Sequence, residues 1–187
     1  MEKTLRSYSK TVVIVIWIIA TLQFAYAKDK EYKALSDFRV AVGEIFPLNS
    51  LEDPNSKALL ADRILGKAVL INFYTQYCPP CIREVPKLNQ VMENRNDINV
   101  LAITPDNHDE AARYVKRYGL KWPVASNANE LLSEQLNVDA YPAFALLDSK
   151  GRLLATVYAN QLGGEDGHAT VEGIEAWLNF HVGTASE

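Results

Sequence analysis

Both cysteines of the chain lie in Cys78-Pro79-Pro80-Cys81, directly after its most strand-like run, residues 68–74. Beyond the motif, Ile82, Val85, Leu88, Val91 and Met92 recur at spacings of three and four, which puts them on one face of a helix. Strand, paired thiols and helix in that order place Cys78 at a helix N-terminus. Pro79 suits the first helical position, because its missing N–H would have no intrahelical partner there and its φ is already helical. Free backbone N–H groups and the positive end of the helix dipole favour a thiolate at Cys78. Cys78 is therefore the expected nucleophile, and Cys81, one turn further in, the thiol that resolves a mixed disulfide. Zinc would need a second pair of ligands, yet no other cysteine exists and His108, His168 and His181 are scattered, so no metal is expected. A static bridge is the plain alternative. An inert disulfide rarely spans two residues at a helix start, so the pair reads as one made and broken reversibly.

The first ten residues carry Lys3, Arg6 and Lys10 against Glu2; an apolar stretch over residues 12–20 and then Ala25-Tyr26-Ala27 follow. A basic region, an apolar region and a small-x-small site in that order make residues 1–27 a secretory leader, cleaved after Ala27. The apolar stretch is shorter than the roughly 20 residues that span a bilayer. An uncleaved anchor facing the periplasm from the inner membrane is the rival, since residues 21–27 can extend the helix. On either reading the folded part is exported to the periplasm, where disulfides persist. Losing the leader removes three bases and one acid, which takes the formal charge of −4 to −6. A mildly acidic chain without a basic patch is a poor candidate for nucleic acid binding.

Residues 28–37 are polar and charged and read as a linker or a short leading helix, the linker taken to residue 41, followed by one domain over residues 42–183 and a tail over 184–187. Residues 42–48 read as a short edge strand, Asp53-Pro54-Asn55 as a turn, and residues 58–60 as the returning arm of a small hairpin. The apolar run 68–74 is a central strand covered on both faces, and residues 98–104 a second buried strand. Ala111, Ala112, Val115 and Tyr118 give a helix stopping at Gly119. A short helix over 129–135 turns Leu131, Leu132 and Leu136 inward. Residues 144–147 form a third core strand, and Asp148 to Gly151 turn it into residues 152–158. Glycine-rich 160–168 reads as a flexible loop, and Val171, Ile174, Trp177 and Leu178 as a closing helix. The order describes an α/β domain: a mixed central sheet with helices on both faces and an N-terminal β-hairpin extension. Asp106 to Glu110 reads as a solvated helix start, the histidines as surface groups, and Trp122 and Trp177 as packing.

With these elements in place, the chain resembles the thioredoxin fold. It is most similar to the TlpA/ResA group of exported thioredoxin-like oxidoreductases, which includes the CcmG (DsbE) proteins of cytochrome c maturation. The matching residues are Val42-Gly43, Phe46-Pro47, Gly66-Lys67, Asn72-Phe73, the Cys78 to Cys81 motif, Glu84 with Pro86, Tyr141-Pro142, and Asp148 with Gly151. Tyr74, Tyr77 and Ala143 depart from the usual residues of the group, which bears on the partner proteins accepted around Cys78. The resemblance implies a cis bond before Pro142, where the residues alone leave cis and an ordinary trans proline equally open. It also implies that the surface of Tyr77, Pro79, Pro80, Tyr141 and Pro142 receives the substrate, the Tyr141 backbone pairing with it. Glu84, one turn beyond Cys81, is by resemblance the acid that tunes the thiols or relays a proton. Its alternative role is to complement the helix dipole. Asn72 stands where thioredoxin itself has a buried acid, so some other group must handle that proton.

The leading expectation is a monomeric periplasmic protein-disulfide reductase acting in cytochrome c maturation. It would need no cofactor beyond the redox-active pair, act on protein thiols and disulfides, and be re-reduced by a membrane electron donor of the DsbD/CcdA kind that the resemblance implies. An oxidase or isomerase of the same fold is the alternative, because direction depends on a reduction potential that residues do not display. A thiol peroxidase is the third reading: Thr75 lies three residues before Cys78, as in peroxiredoxins. Against it, Ile71 replaces the proline those enzymes carry upstream, and a second cysteine fits dithiol exchange better.

Overall fold

An almost unbroken apolar run needs cover on both faces, and β1 (Ala68–Phe73) has it as the middle strand of a five-stranded sheet. The computed structural model describes residues 31–164 and 167–182, so the leader and the tail lie outside the described residues. Among the described residues, no helix is long and apolar enough to cross a membrane. The sheet order is β3-β2-β1-β4-β5, with β2 at Ile98–Ile103, β3 at Val124–Ala125, β4 at Ala143–Leu147 and β5 at Leu153–Tyr158. β1 runs parallel to β2, Ala68 opposite Ile98, and antiparallel to β4, Phe73 opposite Ala143. The two-residue β3 was not anticipated. It is too short for a periodic signal and exists through its parallel pairing with the end of β2.

The motif helix α2 spans Pro79–Asn94, and α3 spans His108–Tyr118. A short α1 (Ala61–Ile64) precedes β1, and α4 (Val171–Val182) closes the chain. Parallel crossovers are right-handed, and β1-α2-β2 and β2-α3-β3 step the same way across the sheet, so α2 and α3 share a face. α4 packs against α2. The buried stripe of α2 is Cys81, Glu84, Val85, Leu88 and Val91, with Ile82 and Met92 at its margins. It is turned from the stripe expected from periodicity, and the turn carries Glu84 inside. α3 begins at a capping box: Asn107 Oδ1 accepts the Glu110 N–H at 3.0 Å, and Glu110 Oε2 accepts the Asn107 N–H at 3.1 Å. Such a cap stabilises a helix by about 1 kcal/mol. α3 stops at Gly119, whose φ of 69° is the left-handed conformation that favours glycine.

On the opposite face Val69, Ile71 and Phe73 pack with Phe46, Leu48, Ile64 and the inward leucines 131, 132 and 136 of a π-helical turn, Leu131–Leu136. Leu35 belongs to this core, which corrects the reading of residues 28–41 as a linker over the part from Lys33 onward. The Leu35 N–H donates to Thr156 Oγ1 at 3.0 Å, the Ser36 N–H to the Tyr158 hydroxyl at 3.0 Å, and the Arg39 N–H to the Leu136 carbonyl at 3.0 Å. Polar composition misled here, because Leu35, with Phe38 and Val40 packed against the core and a run of backbone bonds, anchors a strap that also carries charged residues.

The hairpin ahead of β1 consists of single bridges. Glu52 pairs with Ala58 across a turn in which Asp53 Oδ1 accepts the N–H groups of Asn55 and Lys57, while Ile45 bridges Arg152. Residues 42–48 do not form the first arm; Pro47 removes a ladder donor from that run. The loop read as flexible over 160–168 opens as a 3-10 turn, Ala159–Leu162, with Leu162 fully buried. Gly163 approaches the backbone of His168 so closely that a Cβ would lie 2.3 Å from its carbonyl oxygen.

Candidate active site

Cys78 is the N-cap of α2, and its sulfur accepts the Cys81 N–H at 3.2 Å. Pro79 and Pro80 occupy the first helical positions, where their missing donors leave nothing unpaired. The two sulfurs are bonded at 2.05 Å, with the Cα atoms 5.3 Å apart. Cys78 is half-buried and Cys81 only 3% exposed, so an incoming group can reach one sulfur and not the other.

The loop between β1 and α2 is held by a residue that sequence reading placed in solvent. Asp106 is 9% exposed, and its Oδ2 accepts the Gln76 N–H and the Thr104 hydroxyl, each at 2.7 Å. Burial raises its pKa, and the bonds from Thr104 and Gln76 oppose the rise. Asp106 follows the carboxyl end of β2, which lies beside that of β1, so its short side chain reaches a loop 30 residues away in sequence. Thr104 and Asp106 at the carboxyl end of a core strand were the available signal, since sites of open α/β sheets gather there.

The Tyr141–Pro142 peptide bond is cis. Ala143 follows it and pairs with Phe73 of β1, so Pro142 arrives at the sheet end from which the motif loop leaves. Pro80, Glu84, Tyr141 and Pro142 line one cavity of about 230 Å³, joined by Tyr158 and His168. Four of the residues expected to act together are thus gathered beside the disulfide. Tyr77 is not among them: it is 82% exposed and borders a separate groove with Ile82 and α3. Pro79 is exposed and lines neither.

Glu84 is 2% exposed, and its Oε2 has no hydrogen-bond partner among the described residues. Burial pushes its pKa up to about 8, with Lys87 and Arg83 pulling the other way. The carboxyl is therefore mostly protonated near neutral pH, a state that gives a helix dipole little to interact with. Among the described residues no group of three or more His, Cys, Asp or Glu is arranged to hold a metal. His108 is tied into the fold by Ser126 Oγ at 2.9 Å and Glu52 at 3.3 Å, and is not the free surface group expected.

Among known proteins, residues 42–156 match the family described as AhpC/TSA. The thiol-disulfide oxidoreductase ResA of Bacillus anthracis is 26% identical over 157 residues, covering 80% of this chain and 87% of the relative. ResA of Bacillus subtilis is 25% identical over 163 residues, covering 84% and 87%. Among solved structures, the thioredoxin domain of a thiol-disulfide oxidoreductase of Bacteroides vulgatus superposes with a TM-score of 0.58 at 18% identity, covering 75% of this chain and 99% of that one. A secreted disulfide oxidoreductase of Mycobacterium tuberculosis, homologous to DsbE of E. coli, gives 0.53 at 20% identity, covering 72% and 93%.

Proposed function

The chain belongs to the AhpC/TSA family, and from that premise we propose that it is an exported protein-disulfide reductase of the ResA and DsbE kind. It is a thiol-disulfide oxidoreductase of thioredoxin fold. One observation carries the reading: a disulfide at a helix N-terminus whose outer sulfur is reachable and whose inner sulfur is covered. In the reduced enzyme the Cys78 thiolate attacks one sulfur of a substrate disulfide; that bond breaks, and the leaving sulfur takes up a proton. Cys81 then gives up its proton and attacks Cys78, releasing the second substrate thiol and forming the Cys78–Cys81 bond. Two electrons and two protons pass to the substrate. Glu84, on the buried side of α2 one turn from Cys81, is the group proposed to handle the Cys81 proton: with a pKa near 8 it is mostly protonated at neutral pH, and its ionised minority accepts the proton as Cys81 attacks. The substrate segment is proposed to lie along Tyr141 and Pro142.

Reduction is favoured over oxidation by the resemblance to the TlpA/ResA group. A single cysteine pair cannot draw electrons from a soluble cofactor by itself, so a membrane donor of the DsbD/CcdA kind is the proposed source, and cytochrome c maturation in the periplasm the proposed setting. Titration against glutathione tests the direction. A potential below roughly −200 mV is expected, and one near the −120 mV or so of a strong periplasmic oxidant would make the protein an oxidase. Consumption of hydrogen peroxide faster than of any disulfide would assign the peroxidase reading instead.

A further inference from the structure

Separate from the cleft at Pro142, an open groove of about 690 Å³ lies between the start of α2 and α3. Its floor and walls are apolar and aromatic: Ile82, one turn below Cys78, with Tyr114 and Tyr118 of α3. Tyr77, the neighbour of Cys78 in the chain, forms the edge nearest the nucleophile. The rings follow one another outward from the core, with centroids 4.6 Å apart from Tyr74 to Tyr114 and 4.7 Å from Tyr114 to Tyr118, tilted at 31° and 59°. Along the rim stand Arg113, Lys116 and Arg117, three and four residues apart on α3, all exposed. None of the three is in an ion pair among the described residues. The Arg117 guanidinium lies 5.4 Å from the Tyr118 ring centre. The chain is acidic overall, so this concentration of positive charge on the groove that Tyr77 borders is local, and it comes from helical spacing that a count of charges conceals.

Resting on the proposed exchange reaction, we infer that the groove holds the flank of an incoming disulfide segment and selects segments with carboxylates beside the cysteine. Tyr77 lines the groove and precedes Cys78 in the chain, so a segment bound by its sulfur at Cys78 and lying along Pro142 can extend past Tyr77 into the groove. Apolar atoms of that flank meet Ile82 and the tyrosines. Its Asp or Glu side chains meet the three cations. Charge of opposite sign at a docking rim acts mainly on the rate of productive encounter and on the rejection of like-charged partners.

The test uses the full-length protein, reduced, with three synthetic peptides that carry the same Cys-x-x-Cys disulfide flanked by three Glu, three Ser or three Lys. Neutral 2-hydroxyethyl disulfide serves as the reference. Oxidation of the pair is followed by acid quench, alkylation and mass spectrometry. Divided by the reference rate, the Glu peptide is expected to react roughly tenfold faster than the Lys peptide at low ionic strength, and the difference to shrink as salt rises. Arg113→Glu combined with Arg117→Glu should invert the Glu-to-Lys ratio; a ratio is unaffected by any general loss of activity. Equal ratios in wild type, or a preference that survives the double variant, would overturn the inference and leave the exchange reaction standing. Exchange with none of the disulfides would overturn both. A self-associating protein dispersed by the double variant would assign the groove to a second copy, against the inference.

Discussion

Cys78 and Cys81 are three residues apart and differ in what surrounds them, one at a helix start and the other under the helix, and their chemistry should differ accordingly. Cys81→Ala is expected to accumulate mixed disulfides with substrate, seen on non-reducing gels, and Cys78→Ala to accumulate none. The reverse pattern would exchange the two roles. Glu84 is the other residue whose surroundings decide its role. Its carboxyl is pushed up from 4.5 to about 8 by burial. The native state therefore keeps a proton that the unfolded chain releases, so this group makes stability fall as pH rises from about 4.5 to 8. Glu84→Gln should remove that slope: the variant matches wild type near pH 5 and exceeds it above pH 8, by a difference on the order of a few kcal/mol. Thermal unfolding of the oxidised protein across that range measures it. Parallel pH profiles would mean an ionised Glu84 and return it to the dipole role. The helix-period pattern showed which side of α2 Glu84 shares with Cys81, but its depth depends on the distant segments at 140–142, 158–160 and 167–168 that close its cavity.

At the scale of elements, α2 contains a local conflict that its surroundings override. Pro86 lies inside the helix on its exposed side, and the helix continues past it to Asn94. A proline there lacks the N–H that would donate to the Ile82 carbonyl, a defect that costs about 3 kcal/mol in a regular helix interior. The packing of Val85, Leu88 and Val91 holds α2 together across it, each such side chain contributing roughly 1.5–3 kcal/mol on burial. Pro86→Ala is therefore expected to raise the free energy of unfolding by about 1–3 kcal/mol, read as a higher urea midpoint with an unchanged slope. A lower midpoint would show that the ring itself makes contacts the helix depends on. α3 has no such conflict: Asn107, Glu110 and Gly119 are all legible as start and stop signals, and the helix obeys them.

For the molecule as a whole, the strap from Lys33 onward separates a domain that begins at residue 42 from one that begins earlier. Leu35 is 5% exposed, and removing its side chain should leave a cavity, so Leu35→Ala is expected to cost about 2–5 kcal/mol of stability by denaturant titration. A flexible linker residue would cost next to nothing, and that result would detach the strap. By itself the sequence determined whatever rests on near neighbours: the buried strand into Cys78, the proline-started helix after it, the stop at Gly119, and the hairpin of β4 and β5. These follow from periodicity, caps and turns, which act over a few residues. Only the tertiary structure decided that Asp106 holds the loop at Gln76, that the Leu35 backbone is pinned to Thr156, 121 residues on, and that Glu84 is buried with its pKa pushed up. It alone placed Tyr77 and Pro142 in separate clefts and brought Tyr77 beside the cations of α3. The physical reason is the same in each case. Burial and hydrogen-bond partners at long sequence separation are set by how strands order in the sheet and which face each crossover covers, and no window of neighbouring residues contains that information.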